Sequence, residues 1–435
     1  MPPIISLRNI ILGVGVLSAL IAVLLFAKPD IITWKTKKPL PRGDVHLWGT
    51  LPESEMNAFL QNFNAIAKTY TVRYTYVSEA SFDQKLLEAL ASGIGPDLII
   101  ARYQTILSQE KRIYPYVIPE KTFKDMYVDG ASVLFSQEKG ALALPVSVEP
   151  LVLFYNRSLF SKHAIVEPPA TWDEVSRITP SLIAVKDGKF LETSIALGTP
   201  DVPYAKDIIM AIVGQLKQVP VVRMSVPGGT GYFEVLANEP AFEGSEIRPL
   251  STTNSYFTQF GDSNQTTYSW NSSFGKADDA FVAEKLAMYI GYSGELSTLR
   301  ARNPRADIAM TFLPQTKGYN TFVTGMRMYG VAMLISPKNP VAAQFAQAQL
   351  ASSNFSPALA GIVGAPPALR AYSGTQGLDP VIARSMLVAR GWHDSRERES
   401  SLHLSTMISD IINHRMGVND ASSVFVSRLR DLYAR

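Results

Sequence analysis

Residues 142–156 read LALPVSVEPLVLFYN, and the folding of this stretch decides the rest. A short apolar run reaches Pro145. One acid, Glu149, stands between Val148 and Pro150, and a second apolar run, LVLFYN, follows. Proline cannot donate to a strand ladder. Two prolines therefore argue for two strand halves joined by a stiff, kinked crossing that passes from one domain to another. Glu149 lies in that crossing, either as a solvated turn residue or as a ligand group in a cleft.

The chain has 435 residues, more than one ordinary core accommodates, so two domains are expected. A composition of 46% hydrophobic and 18% charged residues is that of a globular protein. Forty-one basic residues against 38 acidic ones leave a net charge of +3 and give no reason to expect nucleic acid. There is no cysteine, which excludes disulfides, thiol catalysis, thiolate metal sites and a lipid anchor on an N-terminal cysteine.

Upstream of the crossing, DVHLWGT reads as a strand ending at Trp48. Met56, Phe59, Leu60, Phe63 and Ala67 have helical spacing, and VRYTYV alternates as a strand does. Ser81 followed by Gln84 has the form of a capping box. It opens a helix with Phe82, Leu86, Leu87 and Leu90 on one face and Gly93 at its stop. GPDLII is then a buried strand ending in a loop at Arg102 and Tyr103. Alternation of strand and helix argues for a parallel sheet. In such sheets ligands bind beyond the carboxyl ends of the strands, where Trp48 and Arg102–Tyr103 stand.

Downstream, ETSIALGTP reads as a strand, Tyr204 as a loop residue and AKDIIMAIVGQL as an apolar helix. Residues 221–269 have weak periods, with a helix over STTNSYFTQF. KLAMYIGYSGEL, NPRADIAMTFLPQ and TGMRMYGVAMLI read as strands. Residues 342–350 form a helix, and 401–432 a final helical region. There is no internal repeat at a fixed period.

Catalytic signatures are absent. The five histidines are scattered, no zinc motif or P-loop occurs, and GYSGE lacks a residue of the nucleophile elbow. No enzyme, metal or cofactor is expected. Aromatics do recur at strand ends and loops: Trp48, Tyr103, Tyr204, Tyr268, Trp270, Tyr292, Tyr329 and Trp392. Such rings either plug the rim of a core or line a cleft, where they would stack on the apolar faces of sugars.

PVSVEPLVLFYNRSLF with PPATWDEV resembles the family 1 extracellular solute-binding proteins of ABC transporters, the maltose-binding-like group. SFDQKLLEALASGIGPDLII, ADDAFVAEKLAMYIGYSGEL and FVTGMRMYGVAMLISPKNPVAAQFAQAQL are similar to further family segments, in the family's order. The resemblance covers nearly all of the chain after residue 44. It implies a periplasmic-binding-protein-like α/β fold of two discontinuous lobes. Lobe one would be residues 44–148 with 325–375, lobe two 152–322 with 380–435, and the hinge crossing 149–151. The cleft positions it implies are Trp48, Arg102, Tyr103, Glu149, Tyr204, Tyr292, Ser293 and the Arg327–Tyr329 crossing. Trp270 joins them from the aromatic set. The chain departs from the pattern at Glu284, where a glycine is usual, and at Tyr292, where maltose binders carry tryptophan. The loop before Tyr204 is also its own.

The function implied is capture of a small solute, a sugar, by domain closure, with delivery to a membrane ABC permease. A surface sensor or scaffold of the same fold is the alternative, and a monomer is expected. Residues 10–27, IILGVGVLSALIAVLLFA, carry no charge. At ~1.5 Å per residue they span about 27 Å, enough for an uncleaved transmembrane signal anchor. Residues 1–9 form its tail and 28–43 a tether. A cleaved signal peptide would put Leu25 at a poor position before the cut. Lys28, Lys35, Lys37, Lys38 and Arg42 follow the span, which read literally keeps the domain inside. The resemblance places it outside the cell membrane.

Overall fold

The computed structural model describes residues 40–433, apart from 139, 188, 218–223, 227–228, 232–246 and 320–321. Eight strands carry the architecture: β1 Gly43–Gly49, β2 Tyr70–Tyr76, β3 Leu98–Arg102, β4 Leu144–Asn156, β5 Lys189–Ile195, β6 Leu286–Tyr292, β7 Ile308–Phe312 and β8 Thr324–Leu334. They run in the order β2–β1–β3–β8–β4–β6–β5, with β7 also paired to β4. β1 is parallel to both β2 and β3, as expected for strands joined through the helices Glu53–Ile66 and Phe82–Ala91.

β4 corrects the opening expectation. It is one unbroken strand of 13 residues, not two halves about a kink. Only its neighbours change. Leu144–Pro150 pair with β8, and Leu151–Tyr155 pair with β6 while β7 flanks Val152–Asn156. Each proline stands where a ladder donor is dispensable. Pro145 faces Gly330 just past a register shift. Pro150 falls where the partner strand is exchanged, and its carbonyl accepts from Ser293 N at 3.0 Å.

The apolar residues bury into separate cores. Two lie toward the N-terminal strands: one around Phe82, Phe123, Phe135 and Met326, the other around Met56, Phe63, Leu98 and Leu350. The third gathers Leu151–Phe154, Ile208, Phe257, Trp270, Phe281, Trp392 and Phe425. Leu313, ahead of β8, and Met326, within it, belong to opposite sides, and β4 passes between these sides from Val148 to Leu151. So does a segment absent from the sequence reading, because Ala389 belongs to the first side and Trp392 to the other. The preceding helix, Pro380–Val388, buries Met386 on the first side.

Local details differ as well. Ser81 makes no side-chain cap; its hydroxyl turns back to the Ser78 carbonyl, and Gln84 bonds Glu88 at 2.9 Å. A short helical turn, Glu79–Ser81, already occupies that entry. The capping box occurs at Thr171–Glu174 instead, opening Trp172–Ile178. Tyr103 opens the short helix Tyr103–Ser108 and does not lie in a loop. The final helical region is two helices, Glu397–Ile412 and Val418–Tyr433. Among the described residues no helix is long and apolar enough to cross a membrane, and the expected anchor, 10–27, lies outside them.

Candidate functional site

The site is built where β4 exchanges partners. Antiparallel pairing places Arg327 of β8 directly opposite Glu149 of β4, so the two side chains share a face. Arg327 Nε and Nη2 each lie 2.7 Å from Glu149 Oε2. Glu149 is only 2% exposed and Arg327 23%. Burial works against the guanidinium's charge, but Glu149 outweighs it and holds the Arg327 pKa above its ordinary value.

The second oxygen of Glu149 is satisfied from β6. Tyr292 pairs with Leu151, which brings the turn after β6 alongside Pro150 and Glu149. Gly294 N donates to Glu149 Oε1 at 3.1 Å. A Cβ on Gly294 would stand 2.5 Å from that oxygen, so the approach requires glycine.

Around the ion pair lie aromatic rings. The Arg327 guanidinium sits 4.5 Å from the Tyr292 ring centroid, and Tyr204 meets Tyr292 edge-on at 4.8 Å. Tyr204 has φ +58°, a left-handed conformation that costs a non-glycine residue about 1–3 kcal/mol. Such strain persists where its surroundings dictate the conformation. Here Glu295 bonds the Tyr204 hydroxyl, Tyr289 Oη at 2.8 Å and Tyr292 N at 2.8 Å. Burial raises the Glu295 pKa against these bonds.

A second, connected cluster lies along the helix that follows Tyr204. Lys206 Nζ is 3.0 Å from Asp394 and 3.6 Å from Glu397, with the Trp392 ring at 5.3 Å. Asp207 bonds the Tyr292 hydroxyl. The Tyr103 hydroxyl bonds the Trp392 backbone, and Gln104 Nε2 donates to Glu397 at 3.2 Å. Arg102, paired in register with Tyr329, forms an ion pair with Glu79.

Of the sequence candidates, Glu149, Arg327, Tyr292 and Tyr204 are in mutual contact, with Ser293 in the turn between them. Arg102, Tyr103 and Tyr329 flank this group from β3, the helix after it and β8. The Trp48 side chain packs against the Phe82 core, with no hydrogen bond or ring contact to the group among the described residues. Trp270 stands apart. It is buried in the third core, stacked on Phe274 at 4.9 Å, as a core-plugging aromatic. Lys206, Asp207, Glu295, Asp394 and Glu397 were not anticipated. Lys206 and Asp207 stand at the start of the stretch read as an apolar helix, and Asp394 and Glu397 fall between Trp392 and the final helical region, where the sequence carries no motif. Among the described residues no group of three or more His, Asp or Glu could hold a metal ion.

A buried ion pair, rings and carboxylates drawn from both core sides thus meet in one cluster. A family profile, "Bacterial extracellular solute-binding protein", matches residues 48–350. The chain belongs to this family.

As a solute-binding protein of this family, it places Glu149, Tyr204, Tyr292 and Arg327 inside the matched segment, whereas Asp394 and Glu397 lie beyond it. Solved structures share the fold. A cyclo/maltodextrin-binding protein complexed with maltotetraose superposes with a TM-score of 0.70 at 14% identity, over 91% of this chain and 98% of that one. The cyclic α-maltosyl-1,6-maltose binding protein from Arthrobacter globiformis gives 0.70 at 16% identity, over 90% and 98%. The maltose/maltodextrin-binding domain from Bdellovibrio bacteriovorus, bound to maltotriose, gives 0.63 at 14%, over 90% and 100%. A sequence search of curated proteins returned no match.

Proposed function

We propose that this solute-binding protein serves an ABC importer, capturing a small carbohydrate in a cleft between two lobes by domain closure. We take the lobes as residues 44–148 with 325–389 and 152–322 with 392–435, joined at 149–151 and again between Ala389 and Trp392. Meeting of β4, β8 and the turn after β6 at the Glu149–Arg327 pair is the observation that carries this reading. The solved relatives bound to maltotetraose and maltotriose support a carbohydrate. The solute bridges both lobes, favours the closed state and shifts the population toward it. The family's description as extracellular supports an extracytoplasmic location. We further propose that residues 10–27 tether the protein beside its permease, raising its local concentration there. The protein acts as a monomer and performs no turnover.

The test is a thermal-shift screen of mono- and oligosaccharides on the full-length chain. A ligand bound only by the native state raises Tm by mass action, by about 2.7 kcal/mol of stability at a hundred times Kd. The reading expects at least one saccharide to raise Tm, with the shift lost in Arg327→Ala. A panel without a hit contradicts it.

A further inference from the structure

We propose that the solute taken at this cleft carries a positive charge, as an amine-bearing saccharide does. The inference rests on the cleft reading and adds the charge of the occupant. It comes from an imbalance between carboxylates and cations. Arg327 is matched to Glu149 at 2.7 Å, Lys206 to Asp394 at 3.0 Å, and Arg102 to Glu79. Among the described residues Asp207 and Glu295 form no ion pair, and Glu397 has only a share of Lys206. Glu295 accepts from Tyr292 N and from tyrosine hydroxyls. Asp207 bonds the Tyr292 hydroxyl. Glu397 accepts from Gln104 at 3.2 Å and shares, at 3.6 Å, a lysine already committed to Asp394.

Position sharpens the imbalance. Asp207, Glu295 and Glu397 sit at the starts of Ala205–Lys217, Glu295–Arg302 and Glu397–Ile412, whose buried residues belong to the third core. Arg102 and Arg327 come instead from β3 and β8. If the two sides part, Arg102 and Arg327 leave with the first side, and Lys206 stays with Asp207, Glu295, Asp394 and Glu397. Burial pushes the Asp207, Glu295 and Glu397 carboxyls above their ordinary values despite Lys206, Arg102 and Arg327 nearby. The protein's own cations leave them short of neutralisation.

Two further groups point to a missing donor. Ser293, 2% exposed between the backbone donors Tyr292 and Gly294, has a hydroxyl with no partner among the described residues. Gln104 is 6% exposed, and its Oε1 is equally unpartnered although its Nε2 is on Glu397. An amide oxygen only accepts. An ammonium offers three donors and no acceptor, which is the complement of this wall. The rings are suited as well, since Tyr292 and Trp392 already face the cations Arg327 and Lys206. A carboxylated solute meets like charge, and a neutral sugar leaves the carboxylates as they are.

The test is calorimetric titration of the full-length chain at near-neutral pH with three probes: a fully deacetylated glucosamine tetramer, its N-acetylated counterpart, and spermidine. The glucosamine tetramer is expected to bind at least about tenfold more tightly than the acetylated one. Added salt and Glu397→Gln should each erode that preference. Glu295→Gln is a second variant should Glu397→Gln lose its fold by circular dichroism. Equal or tighter binding of the acetylated tetramer overturns the charge inference and leaves the cleft reading standing. Spermidine binding with neither saccharide bound upholds the charge and removes the carbohydrate. Binding of neither amine overturns the proposal.

Discussion

Glu149 is the residue on which the account turns, and its buried pairing makes strong demands. Removing one partner of a buried ion pair leaves an uncompensated charge, at a cost of about 3–5 kcal/mol. Arg327→Ala is therefore expected to lose stability on that scale in urea denaturation. Glu149→Gln with Arg327→Met should lose less than the two single changes summed. A single-variant loss below about 1 kcal/mol would mean that the pair is not buried as described. A second residue behaves differently. Glu284 holds φ +58° and accepts from Asn156 Nδ2 at 3.1 Å. Left-handed backbone costs an ordinary residue about 1–2 kcal/mol. Glu284→Gly should thus leave Tm unchanged or raise it, the relief of strain offsetting one part-buried hydrogen bond; a fall in Tm counts against strain there. This position was legible in the sequence as a departure from the family glycine. Tyr204 was legible as a loop residue ahead of an apolar helix, but its strained backbone was not, because no residue type announces it. Trp270 shows the converse: an aromatic near a loop is as readily a core ring as a binding surface.

At the scale of elements, alternation and helical spacing were enough to find most strands and helices, because burial imposes those periods directly. They failed where hydrogen bonds depend on neighbours distant in sequence. β4 keeps Pro145 beside a register shift against β8, and Pro150 where β8 gives way to β6 and β7, which no local rule contains. The Ser81 cap failed because the turn before it takes the hydroxyl. TWDE, by contrast, makes a reciprocal box: Thr171 Oγ1 accepts from Glu174 N at 3.3 Å and Glu174 Oε2 from Thr171 N at 3.2 Å. Thr171→Ala should then cost about 1 kcal/mol, and Ser81→Ala a few tenths at most. Chemical denaturation of the two variants reads the difference, and equal losses would deny the box its role.

For the whole molecule, charge links shape to pH. Asp207, Glu295 and Glu397 have raised pKa values in the folded chain, burial being the main cause. The native state then holds protons that the unfolded chain has released. Their contribution is fully present below the ordinary carboxylate range and is lost as pH rises through the raised values. Because these groups are not wholly shielded, the effect is modest. Tm of the wild type is expected to fall across that interval relative to Glu397→Gln, and a constant difference between the two would refute the linkage. The mixed α/β fold follows the family fold that the sequence suggested. The acidic wall was unreadable, because its members are scattered from residue 207 to 397 and only packing collects them. The most direct test of solute capture at the β4 crossing is small-angle scattering of the full-length chain with and without its tightest-binding saccharide. The account predicts a smaller radius of gyration on saturation, with the change abolished in Arg327→Ala. Saccharide bound at an unchanged radius, or contraction that survives loss of Arg327, would contradict it.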